Sequence, residues 1–340
     1  MSALPGHDFS TAIAVRDDAA GDVAVASHKG RLWLLLGLAA FACLPLVLGE
    51  SRLFLTIDFL VTVLFAMSYN LLMGQGGMLS FGHAAYYGLG AYAVAIGSSK
   101  LGLPVWAGMA AAPIVSGLAA LVVGWFCVRV TGMYFAMLTL AFGQLIYTVV
   151  LGWYDFTGGD DGLPVAVPEW LLPATHYFYF CLVIVVACVW LLWRITQSPF
   201  GAALGAIREN RQRATYTGLN VRAIELRVFV MAGAFAGVAG ALRAPLQQMA
   251  FPSLLNWNQS AEPVLITLAG GIGAFFGPIV GAAVFVFTNF VITSYFEYPL
   301  LVFGSLVLAI VLFLPGGILG ALKARVARRA QALQKKKSTP

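Results

Sequence analysis

The chain has 340 residues, of which 60% are apolar and 10% charged, with a net charge of +6 and a mean hydropathy of +0.87. A soluble domain is roughly one quarter charged because it must solvate its exterior, so a water-soluble globular fold is excluded. The apolar runs are continuous and not alternating, which also excludes a membrane β-barrel and leaves an all-α, polytopic transmembrane bundle of about ten helices.

Residues 1–30 are polar, carry mixed charge and lack an apolar stretch beside a small-residue cleavage site, so they read as a cytoplasmic tail and not as a cleaved signal. Spans are expected at 32–49, 53–73, 82–98, 104–128, 132–152, 177–194, 227–247, 260–273, 278–296 and 299–315. Glycines interrupt 82–98 and the pair of spans around Gly277, so these could be half-helices or re-entrant segments instead of full crossings.

Lys and Arg set the orientation. With the N-terminus inside, the cytoplasmic segments hold Arg16, Lys29, Arg31, Arg129, six arginines from Arg194 to Arg227, and seven basic residues from Lys323 onward. Arg52 and Lys100 fall outside, and Arg243 lies within a span. That asymmetry places both termini in the cytoplasm. It divides the chain into a tail (1–30), a membrane domain (31–320) and a basic tail (321–340), whose charge suits anionic lipid and calls for no nucleic acid. Cys43, Cys127, Cys181 and Cys188 stand in apolar runs without CxxC pairing or nearby histidine, so no disulfide framework or metal site is expected.

Residues 74–92, GQGGMLSFGHAAYYGLGAY, combine six glycines with Gln75, Ser80 and His83 in apolar surroundings. Such glycine density weakens a helix and points either to unwound backbone lining a polar cavity or to close helix packing through Gly82, Gly88 and Gly90. A second stretch, GGIGAFFGPIVGA at 270–282, is similar in density, as two halves of a weak internal repeat would be. Intramembrane charge is sparse: Asp58 and Arg243 lie near helix ends where they could snorkel, and Glu262 stands at a helix start facing either the outer solution or the pathway.

Residues 196–226 form the one long hydrophilic stretch between spans on the inner side. Ser198-Pro199 fits a helix start and Gly218-Leu219-Asn220 a stop, giving one or two short helices broken near Gly218. Ala203, Leu204, Ile207, Ala214 and Leu219 supply an apolar side and Arg208, Arg211 and Arg213 supply charge, as a docking surface requires. No GxxxxGK[ST] loop is present to hold nucleotide, and no HExxH, GxSxG or paired acidic motif accompanies His83, so the chain reads as a transport subunit without catalytic residues. No chain of mid-membrane carboxylates or histidines suits a self-contained secondary transporter or channel.

The strings at 70–92, TGMYFAMLTLAFGQ from Thr131, TGGDDGL from Thr157, SPFGAALGAIREN from Ser198 with Gly218 and Asn220, GGIGAFFGPIVGA and LPGGILG resemble permease subunits of high-affinity branched-chain amino acid ABC importers. The second and third strings resemble the longer of the two permease partners. The resemblance implies a bacterial inner-membrane heterodimer with a second permease, two cytoplasmic ATPase subunits that use ATP, and an external binding protein delivering Leu, Ile or Val. It also implies ATPase coupling through Ala206, Ile207, Arg208, Glu209, Asn210, Gly218 and Asn220. No cofactor is expected in this chain itself. Gln75, Ser80, Gly82, His83 and Glu262 are the expected pathway residues, and related permeases for urea, short amides or other small organic acids carry the same blocks.

Overall fold

The computed structural model describes residues 41–46, 49–295, 304–305 and 317–320. The predicted spans 32–49 and 299–315 lie largely outside these residues, as do both predicted tails. The chain divides into Met1–Gly49, in which a 3-10 turn at Leu44–Leu46 is described, and Glu50–Pro340, which holds the bundle.

Ten helices of Glu50–Pro340 carry the architecture: α1 Glu50–Asn70, α2 His83–Ser99, α3 Val105–Cys127, α4 Met133–Gly152, α5 Ala174–Thr196, α6 Pro199–Glu209, α7 Arg211–Tyr216, α8 Val221–Gln247, α9 Trp257–Gly270 and α10 Gly277–Tyr295. Among the described residues, six helical stretches are long and apolar enough to cross a membrane: α1 with its extension to Gln75, α3, α4, α5, α8 and α10. At 1.5 Å per residue, α2 and α9 come to about 25 and 21 Å, short of the ~30 Å hydrocarbon core.

α1 is the central post, 83% buried among α5, α8, α9 and α10. By contrast α4 is 28% buried and α5 33%, and they turn outward Met137, Leu145 and Val149, and Val183 and Trp190. Such apolar surface fits lipid or a membrane partner, not water.

α2, α3 and α8 form the tightest unit, and small residues are the reason. A Cβ on Gly240 of α8 would stand 1.7 Å from the Tyr87 carbonyl oxygen of α2, and one on Gly90 of α2 would stand 2.0 Å from the Gly237 carbonyl oxygen of α8. Backbones touch there because no side chain separates them. Ser116 of α3 adds a hydrogen bond, its Oγ donating to the Tyr86 carbonyl at 2.8 Å.

The structure revises several boundaries. α2 runs unbroken through Gly88 and Gly90, and the irregular chain lies before it, at 76–82. α8 starts at Val221 and not 227, because Arg222, Glu225 and Arg227 are charged enough to hide from hydropathy yet form good helical turns. The segment at 196–226 breaks at Asn210 as well as near Gly218: Asn210 is extended (φ −158°, ψ 104°) between α6 and α7.

Contacts sort the loops into two ends. At one, Lys100 Nζ donates to the Asp155 carbonyl at 2.7 Å. There too β1 (Leu163–Pro164) pairs antiparallel with β2 (Met249–Ala250), with Leu163 opposite Ala250. At the other end lie α6, α7, the turn after α1 and the α3–α4 connection.

Candidate functional site

The end carrying α6 and α7 is built around the place where α1 stops. Leu71–Gln75 closes α1 with a π-turn, a widening that recurs at functional sites. The Gly77 amide bonds back to Met73 O at 3.0 Å and the Met78 amide to Leu72 O at 3.2 Å, with Gly77 at φ +68°. The chain then turns back into the bundle as irregular backbone through 76–82, and α2 begins beside the last turns of α1. Non-helical chain at that depth must find partners from neighbouring helices. It does: the Phe81 amide donates to Thr139 Oγ1 of α4 at 3.2 Å, and the Ala84 amide to Ser260 Oγ of α9 at 2.9 Å. The free N–H groups of the α2 N-terminus are thus partly occupied by protein hydroxyls.

The expected pathway residues separate. Ser80 is fully buried and accepts a 3.4 Å hydrogen bond from the Gly82 amide. Gly82 lies against α4, where a Cβ would meet the Thr139 carbonyl oxygen at 2.1 Å. His83 is buried, stacked on Phe65 and edge-on to Tyr69 and Tyr86. Its Nε2 lies 2.9 Å from Ser68 Oγ, and since the Ser68 hydroxyl donates to the Phe65 carbonyl at 2.7 Å, Nε2 carries the proton. Gln75 is half-buried at the end of the π-turn. Glu262, in the first half of α9, is half-buried and accepts a hydrogen bond from Gln259 Nε2. Ser80, Gly82 and His83 therefore form one buried cluster, and Glu262 belongs to another.

That second cluster was legible only as single charges. Arg243 of α8 forms an ion pair with Asp58 of α1 through Nη1 and Oδ1, and Glu262 is within electrostatic range of Arg243. Two carboxylates thus flank one guanidinium, and pairing reduces the cost of holding these charges between helices.

The segment at 196–226 has an inner and an outer face. Leu204, Ile207 and Ala214 are buried, whereas Ala206, Arg208, Glu209, Asn210, Gly218 and Asn220 are exposed. Asn210 Oδ1 caps α7 by accepting from the Arg213 amide at 2.9 Å, and Asn220 Oδ1 caps α8 by accepting from the Ala223 amide at 3.2 Å. Gly218 sits at φ +84°, a left-handed turn that ends the helix pair. Arg208 Nη1 donates to the Gly74 carbonyl in the π-turn. Arg211 is held by Glu225 of α8, a contact for which helical spacing offers no sequence signal because the break between α7 and α8 intervenes. A cleft of about 360 Å³ opens between these pieces, lined by Gly76, Gly77, Met133, Phe135, Ile207 and Arg208 among others. No group of side chains able to hold a metal ion occurs among the described residues.

Residues 51–315 match the family model described as branched-chain amino acid transport system / permease component. The high-affinity branched-chain amino acid transport system permease protein LivM of Salmonella typhimurium is 26% identical, over 86% of this chain and 75% of its own. Its counterpart LivM of Escherichia coli matches to the same extent, and LivH of Salmonella typhimurium is 24% identical over 76% of this chain and 90% of its own. No solved structure matches the chain.

Proposed function

Because this chain belongs to the family of branched-chain amino acid transport permease components, we propose that it is the longer permease of an ATP-binding-cassette importer that carries Leu, Ile or Val across a bacterial inner membrane. It pairs with a shorter, LivH-like permease. Two ATPase subunits and an external binding protein complete the complex. The observation that carries this reading is the family match over 51–315 together with a helix pair, α6 and α7, docked by its apolar side and open on its polar side.

Both termini lie in the cytoplasm, so α6 and α7 meet the ATPase there. Ala206, Glu209, Asn210, Gly218 and Asn220 present the outer face to it, while Ile207 and Arg208 tie the segment to the bundle. ATP binding in the partners closes them and moves α6 and α7, switching the side of the membrane to which the path between the two permeases opens. Gln75, Ser80, Gly82 and His83 lie at the inward end of that path and Glu262 further out. In the arrangement described, Ser80 and His83 are buried, which is what a closed inner half requires.

The test is ATP-dependent uptake of labelled leucine into proteoliposomes holding this chain with its partner permease, ATPase and binding protein, each omitted in turn. Uptake should vanish with any omission. Uptake by this chain alone, without ATP, would overturn the importer reading in favour of a secondary transporter or channel.

A further inference from the structure

Arg208 falls in the stretch that the family resemblance assigns to ATPase coupling, and although the residue is exposed, one nitrogen of its guanidinium reaches into the bundle. Two contacts of its own and one of Leu204 define its place. Nη1 donates to the carbonyl of Gly74 within the π-turn that ends α1. The Arg208 stem lies over Gly77, where a Cβ would stand 3.1 Å from the Arg208 Cγ, and Leu204 Cδ1, one turn earlier on α6, would stand 3.4 Å from a Cβ on Gly76. Gly77 also sits at φ +68°, a conformation that other residues rarely adopt. The glycines thus leave room for α6 to lie against the backbone of the turn.

The Gly74 carbonyl is available because the amides that follow bond elsewhere, Gly77 to Met73 and Met78 to Leu72. A carbonyl at a helix end needs a donor, and a charged donor makes a stronger bond than a neutral one. Beyond this turn the chain runs through Ser80 to His83, which is bonded back to Ser68 on α1. A displacement of α6 therefore acts directly on the segment that connects α1 to α2. The neighbouring α7 is tied to α8 by Arg211 and Glu225.

We infer that Arg208 is a positioning residue that carries movement of α6 to the broken end of α1. The inference rests on the importer reading.

The experiment uses the full complex in proteoliposomes, with labelled leucine as probe, and reads leucine taken up per ATP hydrolysed. For Arg208→Met, the ATPase subunits should still copurify with the permeases in wild-type proportion, while uptake per ATP falls on the order of tenfold, within the usual span of coupling between sites. Arg208→Lys keeps a charged donor but loses the planar fork, and should retain part of the ratio; if the methionine variant does not reach the membrane, this one is read in its place. Loss of the ATPase subunits from the purified variant would overturn the proposal in favour of docking. A wild-type ratio in the variants would overturn it outright. Wild-type uptake that needs no ATP would overturn the importer reading itself, a result distinguishable from either.

Discussion

Arg211 and Glu225 form a two-pronged ion pair across the break between α7 and α8, with Nε to Oε1 at 2.9 Å and Nη2 to Oε2 at 2.8 Å. The glutamate side chain is 8% exposed and the arginine 37%. The pair is thus shielded on one side only, and its contribution falls between that of a surface pair and a buried one. Glu225→Gln keeps the volume and removes the charge, with an expected local loss of about 2 kcal/mol. Hydrogen exchange should report it as faster exchange of the amides in 199–216, with α1 and α3 unchanged; equal exchange in both proteins would mean that the pair does not hold the segment.

The contact between α2 and α8 predicts an asymmetric pair of glycine substitutions. Gly240→Ala places a methyl group against the Tyr87 carbonyl and must push the helices apart, at a cost of about 1–3 kcal/mol. Gly205→Ala, on α6 with nothing within 4 Å of the added atom, should be neutral or stabilise by up to ~1 kcal/mol through helix propensity. Thermal unfolding in detergent compares the two directly.

Ser68 and His83 allow packing and transport to be separated. Ser68→Ala leaves the buried Nε2–H without its acceptor, an expected loss of about 1–3 kcal/mol. His83→Phe in the Ser68→Ala background removes the orphaned donor and keeps a ring among Phe65, Tyr69 and Tyr86, so part of the stability should return. If His83 lines the transport path, leucine uptake per folded complex stays low in the double variant even as thermal stability recovers. Recovery of both would assign His83 to packing.

Asp58 and Arg243 should behave as a coupled pair. Asp58→Asn leaves the guanidinium with less counter-charge and Arg243→Gln leaves two carboxylates near one another, so each destabilises, by about 1–3 kcal/mol for a pair only partly shielded. The double variant should cost less than the sum of the two, with an interaction of about 1–3 kcal/mol measured by a double-mutant cycle on thermal stability. Strict additivity would mean that the two charges reach water independently.

Composition by itself determined the solvent, the helical class and most of the long spans, because a helix in lipid must satisfy every backbone group within itself and so writes its full length into the hydropathy of the chain. The sequence also marked α6 and α7, since a stretch with an apolar side and an arginine-rich side stands out between two spans. What it did not determine is which neighbour each polar group meets. Glycine in 74–92 was compatible with an open pathway or with close packing, and only the tertiary structure put Gly82 and Gly90 against the backbones of α4 and α8 while leaving Gly76 and Gly77 for α6. Asp58 and Arg243 read as separate charges because their pairing joins α1 to α8, helices far apart in the chain. The hydrogen bond from Arg208 to the Gly74 carbonyl left no mark in the sequence because it arises when α6 folds back against the end of α1. Hydropathy and helical periodicity describe each segment against its solvent, whereas these partners are set by how the segments pack on one another.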